Sequence, residues 1–327
     1  MYVEISFICC VFDILFELFL DFRQLRHLQK QKKPVDIFQD SIKEEDFHKS
    51  VAYQVELTKF SIVTTLVSFG LLSPFLVKFV WTLTQYGNEI IHSCIFMIFN
   101  AFLSTILSIP FSYYRKFVID EKYGFNNSTI KLFVSDIIKS FLVENILESI
   151  LYSVLIFLYR WAGSKFIYLA LLFIFGFIVL LQVLYPILIM PLFTKLTPLP
   201  DGEVKTAIEG LAKETNFNIK EIYQTDDSKR SSKQNAFMMG LFTHKVGLAD
   251  TLLEKCTPEE IKAVVGHEIG HSKHLHIWKM IFITIANFAL TCVILDYTLK
   301  SDKPFIDFGF TDEKPFIIGM VISMFMS

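Results

Sequence analysis

T-P-E-E-I-K-A-V-V-G-H-E-I-G-H-S-K-H-L-H, residues Thr257 to His276, reads as a capped helix carrying a metal-binding pattern. Thr257 is suited to be the N-cap, Pro258 fits the first turn, and Glu260 can close a capping box. Ile261, Val264, Val265 and Ile269 recur at helical spacing and mark an inward face. His267 and His271 are four apart and share one face, so both imidazoles can reach one metal ion. Glu268 lies beside them, where a carboxylate can take a proton from water activated by a metal. Gly266 and Gly270 read as leaving room beside the two histidines. The helix meets no breaker and is predicted to run on toward the apolar segment that begins near His276.

The rest of the chain sets that helix in a membrane. Of 327 residues, 53% are hydrophobic, 15% are aromatic and 35 are Phe, and mean hydropathy is +0.46. Few water-soluble chains sustain such an average. Apolar runs long enough to cross a bilayer, roughly 17–25 residues, occur near 3–20, 61–82, 91–113, 138–159, 166–192 and 276–299. A seventh begins near Pro315 and stops after about a dozen residues, too few for a full span. The first run carries Asp13 and Glu17 and lacks a basic leader or a small-residue cleavage site, which favours a retained span over a signal peptide. The five cysteines show no metal-binding or disulfide-framework spacing and read as apolar filler. A net charge of −2 offers nothing to nucleic acid.

Basic residues give the sidedness. Arg23, Arg26, Lys30, Lys32 and Lys33 follow the first run, and Arg115, Lys116 and Lys122 follow the third. None lies between Leu83 and Ile90. The N-terminus is therefore expected in the lumen and residues 193–275 in the cytosol. Those residues form the one sizeable water-compatible stretch. It opens on a turn, Thr197-Pro198-Leu199-Pro200-Asp201-Gly202, continues as a helix over Glu203–Thr215, and holds short strands at Glu221–Tyr223, Asn235–Phe237 and Lys245–Leu248. The predicted organisation is 1–192, five spans with cytosolic loops; 193–275, a protease-like domain with the H-E-x-x-H helix; and 276–327, span six, a loop and a partial span seven.

Several motifs together resemble the CAAX prenyl protease 1 family, integral-membrane zinc metalloproteases of farnesylated proteins. Val264 to His276 follows the family's zinc-helix pattern, with Ser272 where a Trp is usual. Ser228-Lys229-Arg230-Ser231-Ser232 with Asn235-Ala236-Phe237 matches its S-K-R-S-S-x-x-N-A-[YF] stretch, and Leu248 to Leu253 resembles the segment before the zinc helix. Phe16-Glu17 with Arg23-Gln24, Asp120 to Asn126, and Pro191-Leu192-Phe193 with Thr197 to Pro200 extend the likeness over nearly the whole chain.

The resemblance implies an all-α polytopic membrane protein, a seven-span barrel-like chamber in the family, with a small α+β gluzincin-like metalloprotease domain. Six complete spans and a partial seventh are expected here. It also implies Zn²⁺ held by His267 and His271, Glu268 as the catalytic base, and Asn235 and Ala236 as holders of the substrate main chain. The implied reaction is removal of the C-terminal tripeptide from farnesylated CAAX polypeptides. The implied setting is the endoplasmic reticulum membrane or the inner nuclear membrane. Glu144 and Glu148, four apart on span four, could line the chamber or sit at an interface. The family's third zinc ligand is a Glu in an E-x-x-x-D motif beyond span six. The sequence stops before that motif is reached, and the acids after span six, Asp302, Asp307, Asp312 and Glu313, fall in a loop predicted on the opposite side of the membrane. A C-terminally truncated chain is therefore expected. An inactive short form that binds prenylated or translocating polypeptides is the alternative.

Overall fold

The computed structural model describes residues 1–35, 42–69, 76–241 and 243–326. Its helices are α1 (Tyr2–Lys30), α2 (Glu44–Phe69), α3 (Leu76–Leu83), α4 (Glu89–Tyr114), α5 (Ile130–Ala162), α6 (Phe166–Leu184), α7 (Met190–Phe193), α8 (Glu203–Glu214), α9 (Asp250–Lys255), α10 (Pro258–Lys273), α11 (His276–Lys300), α12 (Lys303–Asp307) and α13 (Phe316–Met324). Four strands make one sheet: β1 (Leu196–Pro198), β2 (Ile219–Thr225), β3 (Ala236–Met239) and β4 (His244–Ala249). Two compact units divide the chain: Met1–Gly124, Asn145–Trp161 and Leu290–Ser327 form one, and Phe125–Glu144 with Ala162–Ala289 the other.

The first unit is helical. In it α1 packs on α2 and α12, and α3 on α4. The amide of Phe316, opening α13, donates to a Glu89 oxygen at 3.0 Å, and Arg160 pairs with the same carboxylate. Trp81 donates its indole N–H to Glu313 at 2.8 Å and stacks on His92. At another point Tyr53 donates to Asp120 at 2.6 Å.

By length and composition, three helical stretches among the described residues can cross a membrane: Glu89–Asp120, Ile130–Phe193 and His276–Lys300. The second is divided by Gly163, whose φ is 53°, and by the 3-10 turn Gly163–Lys165. The expected run at 3–20 lies within α1. The expected run at 61–82 does not coincide with one helix: α2 starts at Glu44, α3 covers only Leu76–Leu83, and residues 70–75 lie outside the described residues. Helices extend past their apolar cores because backbone hydrogen bonding continues into polar turns, which hydropathy does not register.

In the second unit the sheet order is β1-β2-β4-β3. β2 runs parallel to β4, while β1 and β3 are antiparallel to β2 and β4 respectively. All three predicted strands are present. β1 is an addition, because Thr197 and Pro198 read as a turn; they are paired here with Gln224 and Tyr223. Proline is tolerated in such an edge strand, where its missing N–H breaks no ladder. Helices α8 and α10 pack on the sheet around Ile208, Ile222, Val246, Leu248, Ile261, Val265 and Ile269, all buried. Gly240 has φ 86°, and a Cβ there would lie 2.2 Å from the Thr243 carbonyl oxygen; the β3–β4 turn therefore needs glycine.

One prediction fails at the end of α10. The helix does not continue into the apolar segment but stops at Lys273. Leu275 adopts φ 55°, a left-handed conformation that is a clear outlier for a bulky residue, and α11 starts afresh at His276. His274 donates its amide to Gly270 and Leu275 donates to Ser272, both at 3.0 Å, closing the helix end. The sequence shows no glycine or proline at this break.

Candidate active site

Helix α10 holds the metal-binding pattern rigidly. Thr257 accepts from the Glu260 amide at 3.4 Å, and Glu260 accepts from the Thr257 amide at 2.8 Å, so the capping box is complete. The Thr257 amide and then its hydroxyl hold the Glu260 carboxyl below the ordinary glutamate range. Ile261, Val265 and Ile269 face the sheet core. His267 lies two residues past Val265, about 200° around the helix, and so faces away from that core.

His267 and His271 are brought together. Their Nε2 atoms approach to 3.0 Å and their ring centroids to 4.6 Å. Two zinc–nitrogen bonds of roughly 2.0–2.1 Å reach a common point from that spacing, so the imidazoles fit two positions of a metal site. Both residues are exposed. Glu268, His271 and Ser272 line one cavity of about 490 Å³ with Phe237 and Met238. Its remaining walls are largely apolar and include Ile178, Ile277 and Met280. A larger open cavity, about 710 Å³, lies between α8 and β2 and contains none of these residues. The chemistry-bearing cavity is therefore the smaller one.

Among the described residues strand β3 pairs with β4 alone and is an edge of the sheet. The Ala249 amide donates to the Asn235 carbonyl at 2.9 Å, and Ala236 is the register partner of Leu248. Because antiparallel backbones alternate, the N–H and C=O of Ala236 turn outward, away from β4. Asn235 is exposed and immediately precedes the strand. Gly247 opposite Phe237 has a sharper role: a Cβ there would stand 2.5 Å from the Phe237 ring. Beyond their chain neighbours, a Cβ on Gly266 would make an ordinary contact with Leu211 at 3.7 Å, and one on Gly270 would meet nothing within 4 Å.

The Asn126–Ser128 loop meets the Ser228–Ser231 segment that precedes β3. Arg230 donates to Asp136 through Nε and Nη2, both at 2.9 Å. The Asn127 side chain donates to the Ser228 carbonyl at 2.9 Å, Asn126 bridges Ser231, and Asp250 accepts from the Ser228 amide at 2.8 Å. The sequence shows both segments as motifs but gives no sign that they pair, since about a hundred residues separate them. Nearby, burial pushes the Asp227 carboxyl above its ordinary range against a hydrogen bond from Thr225. Glu144 is exposed and Glu148 is half-buried on α5.

His276 also went unread as a site residue. Its Nδ1 lies 2.6 Å from Nδ1 of His271. His274, by contrast, only stacks on His276 at 5.9 Å between ring centroids. Among the described residues no group of three His, Cys, Asp or Glu is placed to share a metal ion.

A helical membrane protein with a small mixed sheet and an H-E-x-x-H helix is a membrane metallopeptidase by class. The family model described as CAAX prenyl protease N-terminal, five membrane helices, matches residues 24–195, and that of peptidase family M48 matches 198–327. The chain belongs to the CAAX prenyl protease 1 family of M48 peptidases. It is 33% identical to the probable CAAX prenyl protease 1 of Schizosaccharomyces pombe, over 94% of this chain and 69% of that one. Identity to the CAAX prenyl protease 1 homolog of Arabidopsis thaliana is 36%, over 94% and 76% respectively. The crystal structure of S. mikatae Ste24p superimposes with a TM-score of 0.91 at 30% identity, covering all of this chain and 82% of that one.

Proposed function

We propose that this chain is a zinc metalloendopeptidase that removes the C-terminal tripeptide from farnesylated CAAX polypeptides. The convergence of His267 and His271 to 3.0 Å, with Glu268 on the cavity beside edge strand β3, carries the proposal. His267 and His271 would hold Zn²⁺ as neutral imidazoles, two of the roughly three protein ligands such a centre uses. A zinc ion bound there would supply Lewis acidity to the scissile carbonyl and to the attacking water. Glu268 accepts a proton from that water and returns it to the leaving amine. The outward backbone groups of Ala236 pair with an extended substrate, which would lie along β3 as an added strand, with the Asn235 side chain beside it. The apolar walls at Ile178, Ile277 and Met280 favour a hydrophobic residue or the lipid itself near the cut.

The basic segments Arg23–Lys33 and Arg115–Lys122 support a cytosolic face for residues 193–275, in an endoplasmic reticulum or inner nuclear membrane. Purified chain supplied with zinc and a farnesylated CAAX peptide is expected to release the tripeptide, read by mass spectrometry. Release of a different fragment, or equal cleavage of the unprenylated peptide, contradicts the proposal. A second reading is capture without cleavage. It predicts that the same peptide binds and is recovered intact.

A further inference from the structure

His271 uses both ring nitrogens. Its Nε2 faces His267 at 3.0 Å, and its Nδ1 faces Nδ1 of His276 at 2.6 Å. On an uninterrupted helix, residues five apart are turned about 140° from each other, and their rings do not meet. They meet here because α10 stops and Leu275 takes φ 55°. The Leu275 side chain is 56% exposed, so burial does not offset that strain. An unfavourable backbone conformation held beside a site points to a use for what it positions.

We infer that His276 is a positioning residue for the metal site, accepting the Nδ1–H of His271 so that the His271 Nε2 lone pair is presented to the metal. The inference rests on the metal assignment proposed above. Proton placement follows from the geometry. A nitrogen that ligates a metal carries no proton, so a His271 ligating through Nε2 has its proton on Nδ1. The 2.6 Å contact then requires His276 Nδ1 to be the acceptor. Partners of this kind fix the tautomer and ring angle of a ligand, and losing one typically weakens metal binding by roughly 10–100-fold.

Zinc affinity of the full chain, measured by competition with a fluorescent chelator, tests this without relying on cleavage. His276→Ala is expected to weaken binding roughly 10–100-fold with the metal-free melting temperature unchanged. His276→Asn, whose Oδ1 replaces the acceptor, is expected to restore most of the affinity, and His274→Ala to leave it as it was. Affinity in His276→Ala equal to that of the unaltered chain overturns the inference. So does a loss that Asn fails to restore and that comes with a lower melting temperature. Zinc binding indifferent to His271→Ala overturns the metal assignment itself, and this inference with it.

Discussion

Gly247 and Phe237 face each other across the β3–β4 pair, and the ring lies where a side chain at 247 would stand. Gly247→Ala is expected to cost about 1–3 kcal/mol by overpacking, and Phe237→Leu in the same chain to recover most of it; thermal melts of the unaltered chain, the two single variants and the double form the cycle that checks this. Gly270 is the opposite case. Open space around it leaves only its helix-breaking tendency, so Gly270→Ala should raise stability by roughly 0.5–1 kcal/mol. At this scale His267, Glu268 and His271 are legible from spacing alone, because i and i+4 share a helical face. His276 is not, since its meeting with His271 depends on the dihedral of Leu275, for which neither sequence neighbour gives a cue.

Helix α10 depends on its cap. Thr257→Ala should cost about 1 kcal/mol by orphaning an amide of the first turn, measured as a shift in the denaturant midpoint. The cap also titrates. Glu260 is held below its ordinary range by the Thr257 amide and hydroxyl, so its stabilising effect is present above the unfolded glutamate pKa of about 4.3. That effect is lost as pH falls through the lower folded value. Glu260→Gln should flatten the pH dependence of unfolding in that acidic window. Elsewhere, Arg230 and Asp136 form a fork-to-carboxylate pair with each side chain about one-fifth exposed. Arg230→Met leaves Asp136 without its forked partner and should destabilise by roughly 3 kcal/mol. The elements of residues 193–275 were largely readable because alternation, caps and turn residues agree there. β1 was hidden, since its Thr-Pro pair carries a turn signature while its pairing with β2 comes from tertiary context.

For the whole molecule, hydropathy places the chain in a membrane but blurs where helices begin, as the start of α2 at Glu44 shows. The meeting of the Asn126–Ser128 loop with Ser228–Arg230 is likewise invisible locally, because it joins segments far apart in sequence. The matches that place the chain in its family cover 69% and 76% of the lengths of two relatives. The central claim is that His267, Glu268 and His271 form a zinc peptidase centre. Glu268→Gln in the purified chain, assayed for zinc content and for tripeptide release from a farnesylated CAAX peptide, tests it most directly. The account expects zinc binding equal to the unaltered chain and cleavage reduced by at least about 100-fold, whereas cleavage at the unaltered rate would contradict it.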